Sequence, residues 1–308
     1  MQLIRHLRAG QFARTGSVVT LGNFDGVHVG HRAVLARLTA HARERQLPAI
    51  AITFHPHPAS VLAPERQPLA LTTLGQRLQR LGATDVDAVV LERFSHRFSR
   101  IEADSFVREV LVAQLSARAV VIGHSTRFGR GRVGDPERLV ALGRALGFAV
   151  EVVGPVDVNG NVVSSSAIRA AVRAGDLDSA AAMLGRQHAV CGRVIAGHGR
   201  GRQIGIPTAN VGVRGLQLPP DGVYAVRVRD GEERLAGVAN IGFNPTFGNQ
   251  ERSLEVHVLD FDRDLYGRRL EVEFAQHLRG EVRFPDVVAL VRQIHDDIAA
   301  ARRALAQR

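Results

Sequence analysis

His28 and His31 close a run, residues 22–31, that reads Gly-Asn-Phe-Asp-Gly-Val-His-Val-Gly-His. An apolar run (17–21) precedes it and a helical pattern (32–45) follows, which makes the segment a strand-to-helix loop. Gly22 and Gly26 let the backbone come close to an anion, and the helix start aims free N–H groups and a positive dipole end at the same point. Imidazoles three residues apart share one helix face and can both reach one oxyanion. Such equipment suits a transition state that gains negative charge on phosphate oxygens, with no covalent intermediate. On its own, His-x-x-His is an ordinary solvated helix face; the glycines and the strand-loop-helix setting favour the phosphate reading.

Three further segments of the first half carry donors. Residues 53–58 (Thr-Phe-His-Pro-His-Pro) place His57 and Pro58 in a stiff loop after the second strand pattern, a plain rigid turn if nothing binds there. Residues 123–132 run Gly-His-Ser-Thr-Arg-Phe-Gly-Arg-Gly-Arg, and Arg127 and Phe128 suit a phosphate or a flat ring. Ser164, Ser165 and Ser166 set hydroxyls at a helix start with Arg169 one turn on, an arrangement that elsewhere only caps a helix. Together these segments would supply donors for a triphosphate.

The second half has its own phosphate loop. Residues 197–205 are glycine-dense (Gly-His-Gly-Arg-Gly-Arg-Gln-Ile-Gly), and Pro207-Thr208-Ala209-Asn210 follows at once. The glycines let amides fold around phosphates, while Thr208 and Asn210 offer oxygen ligands for Mg²⁺. A hydroxyl nucleophile also needs a base. Glu255, in an apolar strand pattern, is the best-placed acid, since a carboxylate among apolar neighbours can have a raised pKa; the competing reading is a surface-facing glutamate.

Composition restricts the chemistry. All 40 Lys+Arg residues are arginine. A Schiff-base lysine, pyridoxal attachment and a Walker lysine are therefore excluded, and any polyphosphate must be held by Arg, His, backbone N–H and metal. One cysteine, Cys191, excludes an internal disulfide and a cysteine-cluster metal site, and its apolar run predicts a core position. No signal-peptide pattern and no apolar segment of spanning length is present, so the expectation is a cytoplasmic protein without a membrane partner. Up to Arg186 there are 23 arginines against 15 acidic residues, and beyond it 17 against 15, so most of the net +10 lies with the histidine loop. The arginines are dispersed, aromatics make up 5% and tryptophan is absent, which argues against nucleic acid as the main ligand.

Residues 18–21, 49–54, 88–91, 119–123 and 149–153 read as buried strands, separated by helical patterns at 32–45, 73–81, 103–115 and 136–146. Asp135-Pro136-Glu137 is a strong helix start. This alternation predicts an α/β doubly wound parallel sheet, with ligands beyond the carboxyl ends of its strands. Two short helices (165–174 and 176–184) form the junction. Residues 188–195, 223–228, 235–241, 254–259 and 270–274 then alternate apolar and polar between turns, which predicts an antiparallel β-barrel, and a final helix covers 285–306. The expected domains are 1–184 and 185–308.

On these motifs, together with 220–224, 240–247, 254–266 and 279–284, the chain resembles the bifunctional bacterial riboflavin kinase/FMN adenylyltransferases (FAD synthetases) over nearly its whole length. The resemblance implies an amino-terminal nucleotidyltransferase domain of the His-x-Gly-His type and a carboxyl-terminal riboflavin kinase barrel. It further implies ATP as co-substrate, FMN and FAD as products, Mg²⁺ as cofactor, and riboflavin, FMN and ATP as small-molecule partners. Under it His28 and His31 hold ATP phosphates while FMN attacks, with Gly22, Asn23, Phe24, Asp25, Gly26, Ser164, Ser165, Ser166 and Arg169 around the nucleotide. His57, Pro58, Arg127 and Phe128 would face the flavin of that site. In the kinase, Gly199, Gly201, Arg202, Gly205 and Pro207 would wrap ATP, Thr208 and Asn210 would hold Mg²⁺, and Glu255 would take the proton of the riboflavin 5′-hydroxyl. Arg279, Glu281 and Phe284 would form the flavin-side flap.

The chain departs from the family pattern at Ser125 and Thr126, where an acid or amide and then an aromatic usually precede Arg-Phe-Gly. Ser166 stands for a threonine and Ile206 for a phenylalanine. Ser125-Thr126 motivates one alternative, a riboflavin kinase whose adenylyltransferase site is weakened or silent. A flavin-sensing binder and a nucleic-acid-associated transferase rank lower, and oligomeric state, homo-oligomers included, is left open.

Overall fold

A computed structural model describes all residues except 6, 8–11, 13–14, 198–200, 202–203, 244–251 and 307–308. Two compact units emerge: residues 1–68 with 74–164, and residues 69–73 with 165–308.

The first unit is a six-stranded parallel sheet in the order β1-β4-β3-β2-β5-β6. Its strands are β1 (Gln2–Ile4), β2 (Ser17–Leu21), β3 (Ala49–His55), β4 (Ala88–Arg93), β5 (Ala117–Gly123) and β6 (Ala149–Val153), and a short antiparallel pair, β7 (Asp157–Val158) and β8 (Asn161–Val162), follows. The central strand β2 is buried at every position, as expected of a parallel strand covered on both faces. One face packs on α1 (Val29–Arg45) through Leu35, Leu38 and Ala42; the other packs on Phe54, Phe106, Leu111 and Phe128. Helix α5 (Pro136–Leu146) starts where predicted, with Asp135 Oδ1 accepting from the Arg138 N–H at 2.8 Å. The 103–115 pattern splits: α4 (Ala103–Ser105) runs into a π-helix, Phe106–Gln114. The edge strand β1, absent from the sequence reading, is three residues long, too short to show a period; its pairing with β4 creates it.

The second unit is a closed antiparallel barrel, β10-β13-β12-β11-β14-β9. Its strands are β9 (Ala189–Ile195), β10 (Ala209–Val211), β11 (Gly222–Asp230), β12 (Glu233–Phe243), β13 (Arg252–Val258) and β14 (Arg269–Arg279). Alternation puts Leu254, Val256 and Val258 inside and leaves Glu255 and His257 on the outer wall. Strand β10, also three residues long, was not foreseen and closes the barrel between β9 and β13. Cys191 is only half-buried, because its strand turns Val190 and Gly192 inward instead, which corrects the core position expected for it. Helices α6 (Ser165–Ala174) and α7 (Leu177–Leu184) group with the barrel, and Leu177 lies in the barrel core. The segment 69–73 joins them through the Ala70–Leu216 bridge, in which Ala70 N–H donates to Gly215 O and Gln217 N–H to Ala70 O, both at 2.8 Å. The carboxyl-terminal helix, Val287–Ala306, lays Ala301 and Ala304 on Val223, Ala225 and Val238.

Candidate active sites

In the first unit, parallel strands bring the loops after β2, β3 and β5 to one edge of the sheet. The loop after β2 is strained: Phe24, Gly26 and Val27 have φ of 49°, 85° and 41°, and burial of Phe24 and Val27 holds them there. Its turn delivers His28 to the N-cap of α1, where Nδ1 accepts from the His31 N–H at 3.2 Å. The His28 and His31 rings stack, centroids 3.6 Å apart and planes 18° apart, with Phe24 edge-on to His31 at 5.2 Å. A Cβ on Gly30 would press within 3.2 Å of His28 Nδ1, so the glycine between the histidines is what lets the rings stack.

Burial, then the neighbouring His28, then Arg77 hold the His31 pKa well below 6.5. His31 is therefore a neutral donor, and its Nδ1 is buried without a hydrogen-bond partner. An unfolded chain binds a proton at this residue below pH 6.5 that the folded chain refuses. Stability is therefore full above about pH 6.5 and falls as pH drops through that value. Denaturant melts at pH 7.5 and 5.5 should show this loss, and His31→Gln should flatten it.

His57 caps the short helix α2 (Pro58–Leu62), its Nδ1 accepting from the Ala59 N–H at 3.1 Å, and its Nε2 lies 3.5 Å from Asn23 Nδ2. Gly22, Asn23, Phe24, Asp25, Gly26, His28, His31, His57 and Pro58 thus gather at one sheet edge. Ser164 adjoins them: the carbonyl of Val163 stands 3.7 Å from where a Gly30 Cβ would be. Ser165, Ser166 and Arg169 open α6 in the second unit, where Arg169 Nε donates to Leu69 O at 2.7 Å. Arg127 is exposed and, with His124, Asp135, Glu137, Val140 and Val152, lines an open groove of about 500 Å³ beyond β5 and β6. Phe128, by contrast, is 6% exposed and packs on Phe106 in the core. The aromatic expected to meet a flat ring instead holds the base of its loop.

In the second unit, antiparallel register sets Asn210 of β10 opposite Glu255 of β13, and Glu255 opposite Asn240 of β12. Direct partners share a face, so the three form one row across the outer wall. Thr208 Oγ1 donates to Glu255 Oε2 at 3.4 Å, and His257 Nδ1 lies 2.8 Å from Pro207 O, pinning the Pro207–Thr208 turn to the same strand. The neighbours of Glu255 across the strands are two asparagines, not the apolar residues beside it in sequence. Gly199 and Arg202 lie outside the described residues. A side chain on Gly197 would collide with the Asn210 amide and one on Gly201 with Ile206 O and, at 3.4 Å, Thr208 Oγ1, so these two glycines lie directly against the Thr208–Asn210 segment. Gly205, at φ 78°, turns the chain back towards the strand. On the other side of the row, the Glu281 carboxylate rests over Gly242. Arg279 forks onto Asp297 of the carboxyl-terminal helix (Nε–Oδ1 2.9 Å, Nη2–Oδ2 2.7 Å), and its Cζ is 5.7 Å from the Phe284 ring centre.

A family model described as FAD synthetase matches residues 11–167, and one described as riboflavin kinase matches 184–305. A Pseudomonas fluorescens protein named bifunctional riboflavin kinase/FMN adenylyltransferase is 42% identical over 98% of this chain and 97% of its own length. This chain belongs to that family. Proteins of the same name from Escherichia coli K12 (41% identical, 98% of this chain and 97% of theirs) and Haemophilus influenzae (38%, 98% of each) agree. A solved structure described as a macrolide-efflux protein from Streptococcus pneumoniae matches with a TM-score of 0.86 and 30% identity over 98% of this chain and 99% of its own. Among the described residues, no helix is long and apolar enough to cross a membrane. Within the bifunctional riboflavin kinase/FMN adenylyltransferase frame, the imidazole pair falls in the first matched region and the Thr208-Asn210-Glu255 group in the second.

Two residues escaped the sequence reading. Asn240 opens the 240–247 motif but received no role there; its alternation with Ala239 and Ile241 marks it as facing out. Arg77 had a clearer signal: it sits on the Leu74, Leu78, Leu81 stripe of α3 (Leu74–Gly82), where a charge has no ordinary place.

Proposed function

We propose the following division of labour between the two sites. In the second unit the riboflavin 5′-hydroxyl attacks the γ-phosphorus of ATP, Glu255 takes the hydroxyl proton, and ADP leaves with FMN as product. In the first unit an FMN phosphate oxygen attacks the α-phosphorus of a second ATP, pyrophosphate leaves, and FAD results. The observation that supports this reading is the presence of two chemically different side-chain groups suited to phosphate in one chain: a stacked imidazole pair at a helix start, and a hydroxyl-amide-carboxylate group against which Gly197 and Gly201 pack.

In the adenylyl transfer, His28 and His31 donate to phosphate oxygens as charge develops, and the amides at the start of α1 assist. A neutral His31 releases no proton when it binds an anion, which suits a donor more than an acid. The open groove beside Arg127 would take the planar part of a nucleotide. In the kinase, catalysis rests on alignment and charge neutralisation. The oxygen donors of Thr208 and Asn210 fit Mg²⁺, which prefers a few protein oxygens plus phosphate and water, and these two residues would hold it. Mg²⁺ held there would supply charge neutralisation to the transferred phosphate. Among the described residues no cluster of three His, Cys, Asp or Glu side chains forms a metal cage. The guanidinium of Arg279 is satisfied by Asp297, so its contribution to flavin binding is to fix the 280–284 segment from which Glu281 and Phe284 project. Use of ATP and free flavins suits a cytoplasmic setting for both reactions.

The direct test is incubation of the purified protein with riboflavin, ATP and Mg²⁺, with products resolved by chromatography. FMN should appear first and FAD after it; FMN that accumulates with no FAD would remove the second step. A finer test is Gly197→Ala. The added methyl must displace the Asn210 amide, so riboflavin phosphorylation should fall about tenfold or more, while supplied FMN is still converted to FAD.

A further inference from the structure

A buried guanidinium lies beneath the histidine loop. Arg77, 6% exposed, donates from Nη1 to Asn23 O at 2.7 Å and from Nη2 to Phe54 O at 3.1 Å. Asn23 belongs to the loop after β2, and Phe54 is the penultimate residue of β3. One planar fork therefore ties together the two strand ends that carry His28 and His31 on one side and His57 on the other. A second donor, Thr53 Oγ1, reaches the same Asn23 carbonyl at 3.2 Å. Arg77 Nε finds no partner, and burial lowers the Arg77 pKa against the opposing pull of Asp25. Sequestering a guanidinium is costly, and two carbonyl bonds on a helix stripe that leucine could fill give a weak structural reason for it.

We propose that Arg77 is a positioning residue of the adenylyl-transfer site, clamping the Asn23 and Phe54 carbonyls so that the 22–31 loop presents its two imidazoles to phosphate. This rests on the roles assigned above to His28 and His31. The guanidinium also supplies a fixed positive charge at a site that receives polyphosphate, in surroundings where water screens it little. Among the described residues, the charged and titratable groups that act on His31 are His28 at the N-cap of its helix and Arg77 from α3, with the carboxyl of Asp25 and the imidazole of His55 near Arg77 in turn. Burial is the main cause lowering the pKa of both His31 and His55, and Arg77 adds to it in each, behind His28 in the case of His31.

Arg77→Met and Arg77→Lys in the full-length chain separate a positioning role from a merely structural one. With supplied FMN and ATP, Arg77→Met should lower kcat for FAD formation about tenfold or more, with the KM for ATP changed far less, because the loop is misplaced for the transition state. The acid limb of its pH profile should move to higher pH, since His31 protonates more readily once the neighbouring cation is gone. Arg77→Lys keeps the charge and loses the fork, so its kcat should fall while its acid limb stays near that of the parent. Unchanged FAD kinetics in Arg77→Met overturn the proposal, as does a fall in rate that only tracks the fraction of unfolded protein and leaves the pH profile in place. If Arg77→Met does not fold, Thr53→Val removes the other donor to Asn23 O at nearly constant volume. A smaller fall in kcat is then expected, and an unchanged one is fatal. His28→Ala serves as the reference: if it leaves FAD formation intact, the site assignment fails, whereas an inactive His28→Ala beside an unaffected Arg77→Met removes the clamp alone.

Discussion

His28→Ala should remove FAD formation and leave riboflavin phosphorylation untouched. His28 does two jobs. Its Nδ1 caps α1 by accepting from the His31 N–H, and its ring lies stacked on His31 at the point where phosphate would bind. Loss of an N-cap costs about 0.5–2 kcal/mol, a modest part of the roughly 5–15 kcal/mol that holds a domain together, so the variant should fold. Loss of one donor to developing oxyanion charge costs about 10²–10³ in rate, which is what the FAD assay should read. His28→Asn separates the two jobs, because asparagine is a good N-cap and a poor replacement for a stacked imidazole. It should recover the melting temperature and not the FAD activity. The proposed kinase site lies in the barrel and does not use His28, so FMN formation should be unchanged in both variants. Loss of FMN and FAD together, in protein that remains folded, would reject the assignment of two sites.

The parts legible in the sequence are those where one signal dominates. Strands β2, β3, β4 and β5 appear as apolar runs because both their faces are buried; β6, expected to be buried, is instead an edge strand without a fully buried residue and is legible only through its valines. Helix α5 appears through Asp135 and Pro136, a cap that works locally. The imidazole pair is legible because its spacing, its glycines and its place after a strand are all local facts. What remains hidden depends on distant pairing. Strands β1 and β10 are three residues each and exist because β4, β9 and β13 offer them partners. The row Asn210–Glu255–Asn240 is a matter of register between strands far apart in sequence, so Glu255 could be named as a carboxylate on an outward position but not as one set between two amides. Phe128 shows the reverse failure. Its arginine- and glycine-rich surroundings suggest exposure, yet the sheet needed an aromatic to fill the space beside Phe106, and Gly134 leaves room for its ring: a Cβ there would lie 2.6 Å from it.

Arg77 makes the same point from the side of energetics. A cation on a leucine stripe breaks the local pattern, and local rules tend to break where a site needs them to. The break is a local one: Leu74, Leu78 and Leu81 face the same way as an arginine. In a chain without lysine, arginine also fills positions that a lysine could take elsewhere, which dulls the signal.

Glu255→Gln should have the mirror effect of His28→Ala. The substitution keeps the volume and keeps an oxygen that can accept from Thr208 Oγ1, so the 3.4 Å contact and the row with Asn210 and Asn240 need not move. It removes the ability to take a proton. General-base assistance is worth about 10²–10⁴ in rate, and riboflavin phosphorylation should fall by that much. FMN supplied from outside should still become FAD at the parent rate, because the imidazole site is untouched. The neighbours sharpen the result. Asn240→Ala leaves the base in place and removes only a flanking amide, so its loss should be smaller than that of Glu255→Gln. If the two variants lose equal activity, the row acts by orienting the hydroxyl. If Glu255→Gln keeps its rate within about threefold, proton removal belongs to another group, water included, and the carboxylate is there to hold Thr208.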